Sequence, residues 1–363
     1  SARAFAQERG LAPSLQGAEG GVGSGGRSSA SGATALVLGS TGFAGRYLVN
    51  ALGRTGTRLV LPVRHNENHS QHLRLMGDLG QVSLRHYDCG GDFLRKPEEL
   101  RRLAAGCDIV VNAVGRDYDT HHFRMREVHV DFARNVAAAA AAEGAGRLVH
   151  LSALGAGPES SSERLRTKWE GEEAVREAFP GATVLRPAPM TGVEDRLLNN
   201  LAVQTLLYPF MPVVEGGHAR LQPVYVADVA QALMACLGDD ATAGRSYDLA
   251  GPDVFSLREL TDWVQDTIRE PRRGVPVPAA ALRLFDQPRQ WLVKRAPMLL
   301  GTTNLMLTAD WADTLEQDLV VEDGGEDGLD ALGVAKTAVH KGLAAEFVRF
   351  WRQGGYDVGT EGT

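Results

Sequence analysis

The stretch GSTGFAG, residues 39–45, carries the sharpest chemical signal in this 363-residue chain. Gly39, Gly42 and Gly45 stand at G-x-x-G-x-x-G spacing between an apolar run, ATALVL, and a helical pattern, RYLVNAL. Glycines so placed permit a tight turn and let the backbone approach a pyrophosphate, whose charge meets the free N–H groups of a helix start. Ser40, Thr41 and Phe43 lie in the same loop and are expected to line the nucleotide with the glycines. A merely structural turn is the competing reading. The strand before the loop, the helix after it and the sheet that follows favour the cofactor.

Which dinucleotide is held depends on the end of the second strand. There the chain reads LPVRHNE, with Arg64 where a carboxylate would accept from the ribose hydroxyls of NAD. A guanidinium suits a 2′-phosphate through paired, charge-assisted hydrogen bonds, so NADP(H) is favoured. A solvated surface arginine is the alternative, and Glu67 leaves NAD open. Asp88, closing the third strand, is placed to accept from an adenine amino group, as is any ordinary strand-end turn residue. His65, His69 and His72 recur at helix-like spacing and His121 adjoins His122, but no cysteine or carboxylate cluster completes a zinc site. Cys89, Cys107 and Cys236 stand far apart, which suits a reducing compartment.

These residues need a scaffold, and the chain supplies one. From Ala33 onward short apolar runs alternate with helical patterns: ATALVLGS, RLVLPVR, VSLRHYD, CDIVVNAVG, RLVHLSALG and ATVLRPA read as six strands. The clearest helix is REVHVDFARNVAAAAAAEG, whose alanines suit close packing. Such alternation predicts an α/β fold of Rossmann type, a doubly wound parallel sheet over residues 34–195. Residues 196–363 form a smaller C-terminal α/β region, interleaved with the core through about 222–250. Residues 1–33, rich in Gly, Ser and Ala, cannot offset the entropy of ordering and read as an arm. The start at Ser1 fits removal of a presequence, and equally a trimmed chain. A hydrophobic content of 44% fills one large core or two modest ones, and a net charge of −7 argues against a nucleic-acid partner. No run of about 18 apolar residues occurs, so membrane association would be peripheral or through partners.

The glycine spacing, DIVVNAVG, LVHLSALG and Lys168 together resemble the short-chain dehydrogenase/reductase superfamily, in its extended or atypical branch. The resemblance implies cofactor contacts from Ala113, Val114 and Gly115 after the fourth strand, from Ser152 after the fifth, and from Lys168, which holds the nicotinamide ribose. In catalytic members a Tyr-x-x-x-Lys pair transfers the proton, both side chains lying on one helix face. Here, in ERLRTK, the tyrosine position is Arg164, which cannot cycle as acid and base. No tyrosine of the chain has a lysine four residues on; Tyr118 alone is expected to approach the nicotinamide end. By position, Pro187 at the sixth strand end and the segment around Tyr225 would flank that end; both equally suit a strand terminus and core.

Further along, SERLRTKWEGEEAVREAFPGATVLRP, VEDRLLNN and QPVYVADVA are similar to the short-chain-dehydrogenase-like accessory subunits of mitochondrial NADH:ubiquinone oxidoreductase, respiratory complex I, from about Ala33 to about Trp351. That resemblance implies bound NADPH without turnover, other complex I subunits as partners, and a place on the matrix side of the inner membrane. A free NADP-dependent reductase or epimerase, or a cofactor-sensing regulator, is the alternative. AAALRLFDQPRQWLVKRAPMLLG sets Leu282, Phe285, Trp291 and Leu292 among four cations, a pattern that suits anionic lipid, an acidic partner or its own domain. The last helical pattern, with Val339, Leu343, Phe347 and Phe350, suits core or a subunit contact.

Overall fold

A computed structural model describes residues 31–64, 67–87, 97–119, 123–284, 286, 308–321, 328–339 and 348–351. Residues 1–30 of the expected arm, Asp88, His65, His121, His122 and most of the basic segment 279–301 lie outside them, as do the side chains of Glu67 and His69.

All six expected strands form: β1 (Thr34–Leu38), β2 (Arg58–Val63), β3 (Val82–His86), β4 (Ile109–Asn112), β5 (Arg147–Leu151) and β6 (Thr183–Pro187). Short strands follow at β7 (Met190–Thr191), β8 (Met211–Val214), β9 (Arg220–Leu221) and β10 (Val224–Tyr225), then β11 (Ser246–Leu249), β12 (Phe255–Ser256) and β13 (Gly274–Val277). The main sheet has seven strands in the order β11-β6-β5-β4-β1-β2-β3, every pair parallel. The seventh is a correction to the six-strand expectation: SYDL is too short and too polar to announce itself, and forms because Tyr247 and Leu249 drop into the core beside β6. It comes from residues 246–249, in the C-terminal half of the chain.

Period-2 alternation sends successive side chains of each strand to opposite faces. Ala35 and Val37 face a layer made by α1 (Phe43–Arg54) and, later in the chain, Val226–Gly238; Leu36 and Leu38 face the opposite layer. The opposite layer holds α2 (Pro97–Ala104) and α3 (Phe132–Ala142), with α4 (Glu163–Ala178) packed on α3. The alanines of α3 serve that close packing, but the expected single helix begins differently: residues 127–131 form a wider π turn before the α-helix starts. Gly171 of α4 lies directly against this turn, where an added Cβ would sit 2.1 Å from the His129 carbonyl oxygen.

A second core gathers α5 (Leu197–Leu207), β8, β13 and α7 (Leu257–Ile268), which the Ser256–Glu259 capping box starts. Leu165 of α4 belongs to this second core, and so does α8 (Ala309–Thr314); α6 is Val226–Gly238, on the first. Of the basic amphipathic segment, Leu282 is buried and Arg283 pairs with Asp313 and Glu316, whereas Leu284 is exposed. Of the last helical pattern, Val339 is buried and Phe350 is exposed.

Candidate functional site

Strand order reverses between β1 and β4, which leaves a crevice above their C-terminal ends, the place where open α/β sheets bind ligands. The glycine loop closes one side of it. Gly39 has φ +82°, and an added Cβ would stand 2.7 Å from the Ala113 carbonyl oxygen. Gly45 is tighter, its Cβ position lying 2.0 Å from the Gly39 carbonyl oxygen. Gly42 is the N-cap of α1, and no side chain caps the helix there and no acidic residue lies in its first turn. Its first N–H groups thus meet no side-chain acceptor, an arrangement suited to an anion. Thr41 and Gly42 are exposed, Phe43 is half-buried, and Ser40 is fully buried with an Oγ that has no hydrogen-bond partner.

The opposite wall comes from the ends of β4, β5 and β6. Asn112 Oδ1 accepts from the Val114 N–H at 3.2 Å and fixes the turn through Ala113, Val114 and Gly115. Lys168 reaches from α4 to the end of β5, where Nζ donates to the Leu151 carbonyl oxygen at 3.0 Å. Gly115 lies close beside it: a Cβ there would press on Nζ at 3.1 Å. Ser152 is buried next to Leu151, and its Oγ also lacks a partner. Burial, with Arg164 nearby, lowers the Lys168 ammonium to about 8. Pro187 ends β6 and is buried, paired with Leu249 of β11. Arg64 stands exposed at the end of β2. The expected site residues within the described set thus gather around one crevice.

Arg164 has a definite employment. Its backbone N–H donates to Asp310 Oδ1 at 3.0 Å, its Nε lies 3.6 Å from Asp310 Oδ2, and Ser162 Oγ donates to the same carboxylate at 2.9 Å. The side chain one turn before Lys168 therefore ties α4 to α8. It offers no titrating proton to the crevice.

Two buried histidines escaped sequence reasoning. His129 Nε2 accepts the Arg116 N–H at 3.0 Å, so its hydrogen sits on Nδ1 and faces Thr167 Oγ1 at 2.9 Å. The neutral ring links the loop after Gly115 to the helix that carries Lys168. Burial first, then Lys168 and Arg164, hold it well below the usual histidine range. His150, in β5, accepts from Asn112 Nδ2 at 3.2 Å, and burial pushes it down to about 3. Isolated histidines within apolar runs give no sequence signal of such roles. Among the described residues no group of three or more His, Cys, Asp or Glu could hold a metal ion.

These histidines make a pH prediction. Each is neutral when folded but protonates below about 6.5 when unfolded, so stability is lost as pH falls below that value. Each neutral histidine contributes a slope of about 1.4 kcal/mol per pH unit. Asp195 opposes them: burial raises it to about 6, so it gains stability as pH falls from there toward 4. Two groups outweigh one. Denaturant titrations should show lower stability at pH 5 than at pH 7, and His150→Gln should flatten the difference.

Comparison with known proteins places this arrangement. A family described as NAD(P)H-binding matches residues 39–240. Among curated relatives, the NADH dehydrogenase [ubiquinone] 1 alpha subcomplex subunit 9 of Arabidopsis thaliana is 38% identical over 93% of this chain and 83% of its own. The NADH-ubiquinone oxidoreductase 40 kDa subunit of Neurospora crassa is 41% identical over 71% of this chain and 66% of its own. The fold matches that of the Citrobacter sp. triphenylmethane reductase complexed with NADP(H), with a TM-score of 0.63 at 19% identity over 87% of this chain and 99% of that one. With its glycine loop, its crevice and these relatives, the chain belongs to the NAD(P)H-binding family and, within it, to the family of alpha subcomplex subunit 9 of NADH dehydrogenase [ubiquinone].

Proposed function

We propose that this chain is an accessory subunit of mitochondrial respiratory complex I that holds NADPH as a structural ligand and performs no turnover of its own. The observation that carries the reading is Arg164, fixed on Asp310 one helical turn before Lys168, where a reductase needs a proton donor. The names of the relatives, mitochondrial subunits of NADH dehydrogenase [ubiquinone], support the assembly, a mitochondrial location and partnership with other subunits. No helix among the described residues is long and apolar enough to cross a membrane, which accords with peripheral attachment.

In this reading Gly39, Ser40, Thr41, Gly42, Phe43 and Gly45 cradle the pyrophosphate, and the uncapped start of α1 meets its charge. The lone hydroxyls of Ser40 and Ser152 are suited to polar groups of the ligand. Ala113, Val114, Gly115 and Pro187 wall the crevice, and Lys168 holds the nicotinamide ribose. NADPH itself supplies a hydride donor when bound, but this chain's residues bind and orient it without delivering a proton. Bound at a thousandfold excess over its dissociation constant, such a ligand stabilises the fold by about 4 kcal/mol.

Arg64 carries the preference for the 2′-phosphate. Arg64→Ala should weaken NADPH by about tenfold to a hundredfold, the worth of a charge-assisted contact, and leave NADH nearly unchanged. Titration of nicotinamide fluorescence checks this. A free NADP-dependent reductase is the second reading, favoured by the lysine lowered to about 8 beside the unpaired Ser152 hydroxyl. Fractionation separates the two: a subunit co-migrates with a large membrane assembly, whereas a free enzyme does not.

A further inference from the structure

Residues 192–196, GVEDR, leave the end of β7 and run across the mouth of the crevice. On one side Arg46, in the first turn of α1, pairs with Glu194, Nη1 to Oε1 at 2.7 Å. On the other side Arg196 pairs with Asp117, in the loop that follows Gly115. The two partners belong to the two walls of the crevice, so a segment tied to both spans it.

The segment is built to hold its shape. Asp195 is buried, and its carboxylate accepts the N–H groups of Gly192 at 3.1 Å, Leu198 at 2.7 Å and Asn199 at 3.1 Å, knotting the stretch into the start of α5. Gly192 lets it lie flat on the cofactor loop: a Cβ would come within 2.9 Å of the Phe43 ring and of Val226. The ends are thus rigid and the two clasps are exposed ion pairs, which open at little cost and weaken with salt.

We propose that residues 192–196 are a strap over the dinucleotide cleft, fastened by Arg46–Glu194 and Arg196–Asp117, which sets how slowly the nucleotide leaves. The inference rests on the reading of the crevice as an NADPH site. It explains how a protein without turnover keeps its ligand: a covered nucleotide exchanges only when both clasps release.

The test is the release rate of NADPH from the loaded full-length chain, followed by nicotinamide fluorescence after chase with excess NADP⁺. The wild-type chain should release slowly, and faster as salt rises. The double variant Glu194→Gln/Asp117→Asn should release about fivefold to thirtyfold faster and show a weaker salt dependence, the worth of two exposed pairs at about 1–2 kcal/mol together. The exchanged pair Asp117→Arg/Arg196→Asp should restore slow release, which a general loss of folding would not. Release from the double variant at the wild-type rate would overturn the strap while leaving the NADPH site standing. A wild-type chain that takes up no nicotinamide nucleotide would overturn the site, and the strap with it, before any variant is compared.

Discussion

Gly45→Val should abolish nucleotide binding and lower stability by about 3 kcal/mol or more, because the new side chain has nowhere to go. Its Cβ alone would lie 2.0 Å from the Gly39 carbonyl oxygen, 2.8 Å from the Gly39 carbonyl carbon and 2.9 Å from Ser40 Cα. All three are backbone atoms of the glycine loop, which in the proposed reading cradles the pyrophosphate. Neither rotamer change nor side-chain retreat relieves such a clash, so α1 must move away from β1 or the loop must open. Either motion removes the close approach on which the anion site depends. Gly157→Ala is the matched control, since nothing lies within 4 Å of its Cβ position. Denaturant titration with assay of retained nucleotide reads both effects.

Arg186→Met should cost about 3–5 kcal/mol, the penalty for stranding a buried charge. Glu172 of α4 is fully buried, and its carboxylate takes a forked contact from Arg186 of β6: Nε at 3.0 and 3.1 Å, Nη2 at 2.6 Å. Arg176 forms a second, looser ion pair with the same carboxylate at 3.7 Å, which places the loss at the lower end of that range. The pair pins the helix that carries Lys168 to the strand that ends at Pro187, so the same variant should also loosen the nicotinamide end of the crevice. Glu172→Leu combined with Arg186→Met removes both charges together and should recover most of the loss. A double-mutant cycle measured by denaturant titration separates the pair from the packing around it. An unchanged stability in the single variant would mean that Glu172 finds water or takes a proton instead.

The two examples differ in how visible they were. The glycine loop was legible because its spacing is a mechanical requirement, and the six main strands because buried parallel strands must be apolar along their length. Lys168 and Arg164 were legible as a register on a helix, although the partner of Arg164, Asp310, lies far along the chain and has no local signature. The same distance hid the Glu172–Arg186 pair and the clasps at Arg46 and Asp117: ion pairs across sequence separation leave no periodicity to read. The seventh strand was missed because SYDL borrows its stability from β6, and the π turn at residues 127–131 because its apolar pattern is that of an ordinary helix start. His129 and His150 looked like solitary polar residues within apolar runs; only the fold brings the loop after Gly115, Thr167 and Asn112 to them.

In the proposed reading, placing Arg164 on Asp310 leaves a crevice that holds a hydride donor without the arginine-for-tyrosine position supplying the accompanying proton. The purified chain, loaded with NADPH and given an excess of carbonyl compounds, tests that claim most directly. The near-ultraviolet absorbance of the reduced nicotinamide should stay constant over many hours, in the wild type and in Lys168→Ala alike. A steady loss of that absorbance in the wild type, abolished in Lys168→Ala, would contradict the account.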